Sequence, residues 1–507
     1  MSRHKGVRQR IPPAALYAWL GFSTQVAGAD CTHLVEVPSG GPAPIRVDGA
    51  TLNGGMPVLP GARVCVRGGI YDRGKLEFIN FVGTPAQPIV ITNVEGQVRV
   101  EHGRIYLDDS QHVEFAGDGD PQLSYGFLVV GSTEQAFGAS QRSADAPALR
   151  GIHAHHVEIH YQDRFAVQAV GVRGFEALAV PAAIEDLDFH HFYIHRAVDA
   201  EGNPLGGFRE GFYFNSSDYG ELPVPAMRRV RIHHNLVQGS GWDGIQISAA
   251  SECEVDHNVV LEDSRYLRQF QNAGIMLGKG SACQVHHNRI LGGQGPGIYH
   301  QGNGGRSADP GASSAGHFYG NLIISAQGAL LAEPDPRESG DPQIETADRR
   351  FGVFVANARD ELDDNRAGYV FVYHNTIARS AVEAIRLSAD PTRIAGFEAF
   401  NNLLIDAVVG LTPAVHPGIH HNLELESALF PFLDWVEAWG DPARSFPGFR
   451  LGPDSAGAID AGATLPWSLA NRDIDGQGRP FGVAYDIGAD EYWPDSLLAD
   501  GFETIAQ

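Results

Sequence analysis

Lysine is almost missing from this 507-residue chain, which has Lys5, Lys75 and Lys279 and no others. Arginine does not make up the deficit: Lys and Arg together number 37 against 61 Asp and Glu, a formal net charge of −24. Sequence-independent nucleic-acid binding needs Lys and Arg to displace counterions, so no nucleic-acid partner is expected. The same balance disfavours an acidic polymer, unless basic residues or a bound cation gather locally. Beyond the N-terminus no apolar run approaches the roughly 18 residues of a helical membrane span. Long helical periodicity is also missing. The apolar positions alternate in short β-branched runs.

What is present is repetition. From Val230 to Asn288 the chain reads VRIHHN, GWDGIQIS, CEVDHN, NAGIMLGKG and CQVHHN. Asn235, Asn258 and Asn288 close one kind of segment. Gly244 and Gly274 open the other, each 14 residues before the next Asn. Such self-similarity is the signature of a solenoid, in which each coil packs on its neighbours. The regular array runs from Glu210 through Asn321, Asn375 and Asn402 to Asn422. Earlier coils are legible at Ser110–Gly117, His155–Tyr161 and Ile184–His195. An Asn in left-handed geometry at a tight turn can stack on its equivalents and bond along the ladder, so these residues are expected to be structural. With 61 Gly and 30 Pro the chain is suited to many turns. The fold expected is all-β, a parallel-strand solenoid with long loops on one edge.

Residues 1–29 read as an export signal: a basic RHKGVRQR, an apolar run from Ile11 to Phe22, and the small-residue site Ala27-Gly28-Ala29. Cleavage before Asp30 would remove Arg3, Lys5, Arg8 and Arg10 and leave a net charge of about −28. The mature protein is expected to be secreted, extracellular or periplasmic, and monomeric. Export permits disulfides between its four cysteines. Cys253 and Cys283 occupy equivalent positions in adjacent coils, where strands stack roughly 4.8 Å apart. A bond fits that spacing; a ladder of two buried free thiols also fits, and is the expectation. Cys31 and Cys65 are left open between a clip at the N-terminal end and two free thiols.

The stretch LPGARVCVRGGIYDRGKLEF, followed by GTPAQPIVITNVEG, resembles the opening coils of right-handed parallel β-helix proteins of the pectate-lyase-like superfold. The resemblance spans most of the chain after residue 29. It implies a right-handed parallel β-helix, in a group that includes polysaccharide lyases, epimerases and some glycoside hydrolases. On this reading residues 30–100 form an N-terminal cap and first coils, and 101–425 the β-helix. Residues 426–507 form a C-terminal capping segment and tail. The run FRLGPDSAGAIDAG, then RDIDGQGRPFGVAYDIGADEYW, resembles the closing segment of secreted β-helix proteins of the choice-of-anchor type. Its Trp and Tyr are expected to cover the open end of the core. The terminal LLADGFE resembles a short tail of exported bacterial proteins.

Insertions locate a working face. From the Gly that opens a strand to the next Asn the minimal spacing is 14 residues, at Gly244 and Gly274. It is 24 from Gly211, 24 from Gly297 and 47 from Gly328. The extra residues (216–227, 302–316 and 333–368) leave one edge, so the lean coils should form a floor between walls. A further insertion, 261–272, enters from the opposite edge and brings Arg265, Tyr266 and Arg268. Alternation turns Ile245, Ile247, Ile275 and Leu277 inward. It turns Gln246, Ser248 and Met276 outward, beside Tyr213, Asn215, Tyr299 and Gln301. Amides and aromatics along a groove suit a sugar ring, with hydroxyls at its edge and an apolar face.

Glu210 and Asp243 precede the Gly in adjacent coils, which in register would place their carboxyls roughly 5 Å apart, a separation suited to glycoside chemistry. The same pair suits Ca2+, a hard cation that prefers oxygen ligands. No other cofactor is implied. Lys279 ends the GIMLG strand, where a desolvated amine can serve as base in β-elimination. Arg209, Arg265, Arg268 and Arg306 are placed to hold a substrate carboxylate. In Lys/Arg-dependent lyases of the alginate and chondroitin type a Lys follows one strand and an Arg ends the next. Here Ser248-Ala249-Ala250 and Gly278-Lys279 stand in those places, and the signatures of polygalacturonases are absent. The His-His pairs at 155/156, 190/191, 233/234, 286/287 and 420/421 recur with the turns and read as stacked turn residues. His300 falls in phase with inward residues and reads as a core histidine. These features lead to a secreted polysaccharide-active enzyme, lyase or glycoside hydrolase, with a groove around coils 211–301. The alternative is a non-catalytic exported β-helix that binds glycan or a cell-surface partner.

Overall fold

The computed structural model describes residues 31–494 apart from 37–44, 73, 162–164, 175–182, 197–206, 216–224, 267–270, 279, 302–314, 327–349, 357–366, 388–393, 414–415, 434–435, 440 and 466–468. The export signal, the terminal tail, Arg268, Lys279, Arg306 and most of the three long insertions lie outside the described residues.

The fold is the expected all-β solenoid, a right-handed parallel β-helix. A 12-stranded parallel sheet takes its strands in strict chain order, from Ile45–Asp48 to Val409–Thr412. The other two faces belong to a 21-stranded sheet, because long strands such as Arg150–Tyr161 and Ile184–Arg196 bend across a corner without breaking their pairing. Among the described residues the one helical turn is Ser427–Leu429. No helix there is long and apolar enough to cross a membrane.

Alternation fills the interior. The row Phe212, Ile245, Ile275, Ile298, Val353 is register-paired and fully buried, as is Phe214, Ile247, Leu277, His300, Val355. His300 belongs to that core, its Nε2 3.1 Å from the Ser281 carbonyl. The glycines that open these strands are needed at the corner: a Cβ on Gly244 or Gly274 would run into Val260 or Ile290 of the facing wall.

The seven asparagines form one continuous amide ladder. Each Oδ1 accepts the backbone N–H of the preceding rung at 3.0–3.1 Å and its side-chain amide at 2.9–3.0 Å, from Asn235 through Asn258, Asn288, Asn321, Asn375 and Asn402 to Asn422. The left-handed residue is the one before each Asn, which corrects the sequence expectation. His234, His257, His287, Gly320, His374, Asn401 and His421 have φ of 52–63°, and the ladder asparagines do not. His and Asn tolerate this region better than most residues. The ring stacking between successive coils, 4.8–5.6 Å from His156 to His287, helps offset its cost.

Both disulfides are formed. Cys31–Cys65 ties the first strand to the next coil, and Cys253–Cys283 replaces the expected thiol ladder. Register explains the second: the two residues pair directly, with Cα atoms 4.6 Å apart, within bonding range.

The closing segment covers a flank. Phe449, Leu451, Ala458, Ile474, Ile487 and Ala489 pack on the outward residues Val259, Leu261, Leu291, Leu322, Ile324, Ala378, Leu403 and Ile405. Among the described residues this side-on packing takes the place of the expected cap over the end. It also crosses the histidine corner, where the Arg472 carbonyl meets His287 and the Asp486 carbonyl meets His374.

Candidate functional site

Three acidic side chains from neighbouring coils converge where the chain enters strands of the 12-stranded sheet. Glu210 lies in Gly207–Phe214, and Asp243 holds the same register position one coil on, its carbonyl accepting the Gly211 N–H at 3.1 Å. Asp263 comes from the insertion after Leu261. That insertion docks on the neighbouring turn through backbone bonds Ser264 N–H to Trp242, Arg265 N–H to Ser240 and Tyr266 N–H to Gly241. The Tyr266 ring then lies against Gly241, where no Cβ would fit, and Gly293 leaves the room that the Asp263 carboxylate occupies.

All three carboxyls are buried: Glu210 is 2% exposed, Asp243 0% and Asp263 1%. Burial, with the negative charges of Glu210 and Asp263, pushes the Asp243 carboxyl well above its ordinary range, against one N–H from Ala273 at 2.8 Å. Burial pushes Asp263 up to about 7, opposed by the Ser264 hydroxyl that donates to it at 2.6 Å. Among the described residues no cationic side chain pairs with Asp243 or Asp263, and one oxygen of each accepts no hydrogen bond. A buried carboxylate without a counter-charge is costly, so such a group takes up either a proton or a cation. The donor set is oxygen only, with two buried oxygens that accept no hydrogen bond, and this fits a hard cation such as Ca2+.

The outward row is assembled as the alternation implied. Tyr213, Gln246, Met276 and Tyr299 are register-paired, continuing into Phe354 and Arg386. Asn215 donates to the carbonyls of Pro225 at 2.6 Å and Ser248 at 3.4 Å. The floor is buried instead of open. Gln246, Met276, Asn215 and Ser248 are at 0% exposure, Tyr299 at 4%, and Tyr213 and Gln301 at 9%. Apolar contact accounts for part of this, since Met276, Tyr299, Ala273 and Ala356 form a cluster with Phe354 stacked on Tyr299 at 5.1 Å.

Of the arginines expected to hold a substrate carboxylate, the two among the described residues are otherwise engaged. Arg209 lies over the Trp242 ring at 4.2 Å, and Arg265 faces Glu262 at 3.4 Å. Arg173, which the sequence did not single out, lies over Tyr213 at 5.5 Å. Asp263 was also missed: its insertion drew attention to its basic residues, and only its docking brings the acid to Asp243.

The histidine pairs are structural, as their recurrence suggested. In 155/156, 190/191, 233/234 and 286/287 the two Nδ1 atoms lie 2.7 Å apart, and in 420/421 3.0 Å. Such a contact requires one proton between two nitrogens, so one ring donates and the other accepts. His233 and His286 also bond Asp188 and Glu254 through Nε2 at 2.8 and 2.7 Å.

No protein-family model matches the chain, and no curated protein matches it. Among solved structures it is similar to a PL6-family alginate lyase at 13% identity and a TM-score of 0.41, over 72% of this chain and 49% of that one. The pectate lyase Pel9A is similar at 15% identity and a TM-score of 0.37, over 92% and 98%. A PL6-family polysaccharide lyase from Pseudopedobacter saltans is similar at 12% identity and 0.37, over 80% and 96%. The chain spans about half the length of the first of these. The fold described above rests on this chain's own strand pairing and not on these likenesses.

Proposed function

We propose that this chain is a secreted polysaccharide-active enzyme, a lyase or glycoside hydrolase, whose chemistry centres on Glu210 and Asp243. The supporting observation is the pair itself: two carboxyls in adjacent coils, one pushed well above its ordinary range by burial and by the charge of the other. A carboxyl whose environment raises its pKa is suited to the acid role. Asp243 is then the proton donor to the glycosidic oxygen. Glu210 supplies the negative charge that takes a proton in elimination or stabilises the sugar cation in hydrolysis. Lys279 is the second candidate base. Arg209, Tyr213, Asn215, Gln246, Arg265, Arg268, Tyr299, Gln301 and Arg306 are proposed to contact the glycan. Purified protein incubated with uronate and neutral polysaccharides tests this: absorbance near about 235 nm reports elimination, and new reducing ends alone report hydrolysis. Asp243→Asn should melt at an unchanged temperature and lose turnover. Retained turnover removes Asp243 from the mechanism.

A second reading is favoured by the complete burial of Asp243. On that reading the protein binds glycan or a cell-surface partner without cleaving it, and Glu210, Asp243 and Asp263 hold Ca2+ as a structural ion. Glycan binding without cleavage, together with a melting temperature raised by Ca2+, supports this second reading over the first.

A further inference from the structure

The flank of the solenoid changes character along its length. One outward row runs through Glu101, Val130, His160, His195, Gln238, Leu261, Leu291 and Ile324, each register-paired with the next. From Leu261 onward the row is apolar and lies under the closing segment. Before Leu261 it turns polar, and there it carries two histidines in direct register, with Glu158 one outward position away on the same strand as His160.

These three side chains are half-buried and converge. His195 Nε2 lies 2.9 Å from Glu158 Oε1, and the His160 and His195 rings stack at 4.3 Å and 19°. Each residue presents a ligand atom within 4.8 Å of the ligand atoms of the other two. The His195 ring is fixed from its other side by Tyr193, stacked at 4.0 Å. Arg99, near His160, pairs with Glu101 at 2.6 Å.

The turn architecture that explains the other histidines does not reach this pair. Neither His160 nor His195 has left-handed backbone, and neither belongs to an Nδ1–Nδ1 contact. No hydrogen bond engages a His160 ring nitrogen among the described residues. The stack and the Glu158–His195 bond join two coils, but neither requires a ring nitrogen of His160.

We propose that Glu158, His160 and His195 form a binding site for a divalent transition metal of the Zn2+ and Co2+ class. Two imidazoles and one carboxylate on a single face are the donor set that such ions favour, whereas Ca2+ and Mg2+ prefer oxygen alone. Small rotations about the side-chain bonds bring three atoms at this spacing to ligand separations, and the remaining positions face solvent. The acidic chain, at −24 overall, favours cation uptake at such a face. This site is separate from the acid cluster at Asp243, lies on a different sheet, and its test does not depend on any activity.

Equilibrium dialysis of the full chain against Co2+, read by metal analysis and by the visible d–d bands of the bound ion, tests the assignment. The expected result is a Co2+ whose spectrum carries nitrogen ligands. Its affinity should fall by at least about 100-fold in both His195→Gln and Glu158→Gln, more than the loss of a supporting group produces. Glu158→Gln keeps shape and tests the carboxylate even if the histidine variant unfolds. His191→Asn, which alters only the turn ladder, should retain that ion. Absence of Co2+ binding by the unsubstituted chain, or binding unchanged by both substitutions, overturns the proposal.

Discussion

A buried side-chain amide at Asn288 makes contacts that an apolar side chain cannot replace. It accepts from two nitrogens of Asn258 and donates to the Val255 carbonyl and to Asn321, at zero exposure. Asn288→Ala leaves the Asn258 N–H and the Val255 carbonyl without partners in a dry interior. Each such orphan costs about 1–3 kcal/mol, so the variant should lose roughly 3 kcal/mol or more in urea unfolding. A loss below about 0.5 kcal/mol would show that water or a shifted neighbour takes the place of the amide. The spacing of the asparagines made this ladder legible in the sequence. The left-handed histidines were not legible, because the HHN triplet does not say which of its residues turns the corner. The acid pair was legible as far as register goes, in the shared position before each Gly. Asp263 was hidden because its place depends on how an irregular insertion folds back.

At the scale of elements, alternation in the strands carried most of the information. Gln246, Met276, Tyr213 and Tyr299 occupy one outward row as their phase required. Alternation says which way a side chain points and nothing about what lies over it, so the burial of that row was not readable. The same blindness hid the closing segment, whose apolar residues complement outward residues far earlier in the chain, from Val259 to Ile405. Ile474, 2% exposed, is central to that contact. Ile474→Ala should cost about 2–5 kcal/mol and release the segment before the coils unfold. Hydrogen exchange checks this: early loss of protection confined to 449–491 is the expected result, and uniform loss across the coils would contradict it. His160 and His195 escaped notice for a related reason, since irregular spacing among the earlier coils conceals their shared register.

Across the whole molecule two populations of desolvated groups titrate in opposite senses. Burial holds His156, His160 and His317 down at about 4 and His190 and His287 at about 3, and neighbouring charged rings add to this at all but His317. The unfolded chain therefore binds more protons than the native one as pH falls from about 6.5, and stability is lost on that side. Burial raises Asp473 and Asp486 to about 6, Asp263 to about 7 and Asp490 to about 8. A raised carboxyl reverses the sign: the native state holds the extra proton, and stability falls as pH rises from about 4 through the native value. Above pH 6.5 only the acids still act, so the melting temperature should peak near about pH 6–6.5 and decline toward pH 8. Asp263→Asn should flatten the alkaline limb. Ca2+ should flatten it too if the cluster around Asp243 holds that ion, because a bound cation stabilises the ionised form. A melting temperature that rises steadily from pH 6 to 8 would show that these carboxyls are ionised in the native state without penalty.

The amide ladder also bears on how this chain can change over time. The rungs Asn235 and Asn258 are 23 residues apart in sequence, and Asn321 and Asn375 are 54 apart. The bond between rungs is 2.9 Å in both cases. Contour length between rungs is thus decoupled from vertical alignment, and the entropy of a longer excursion grows only slowly. Mutation can lengthen, shorten or replace whole excursions at the rim while the ladder restores alignment at the next rung. The HHN triplets are the positions where a one-residue insertion should be least tolerated.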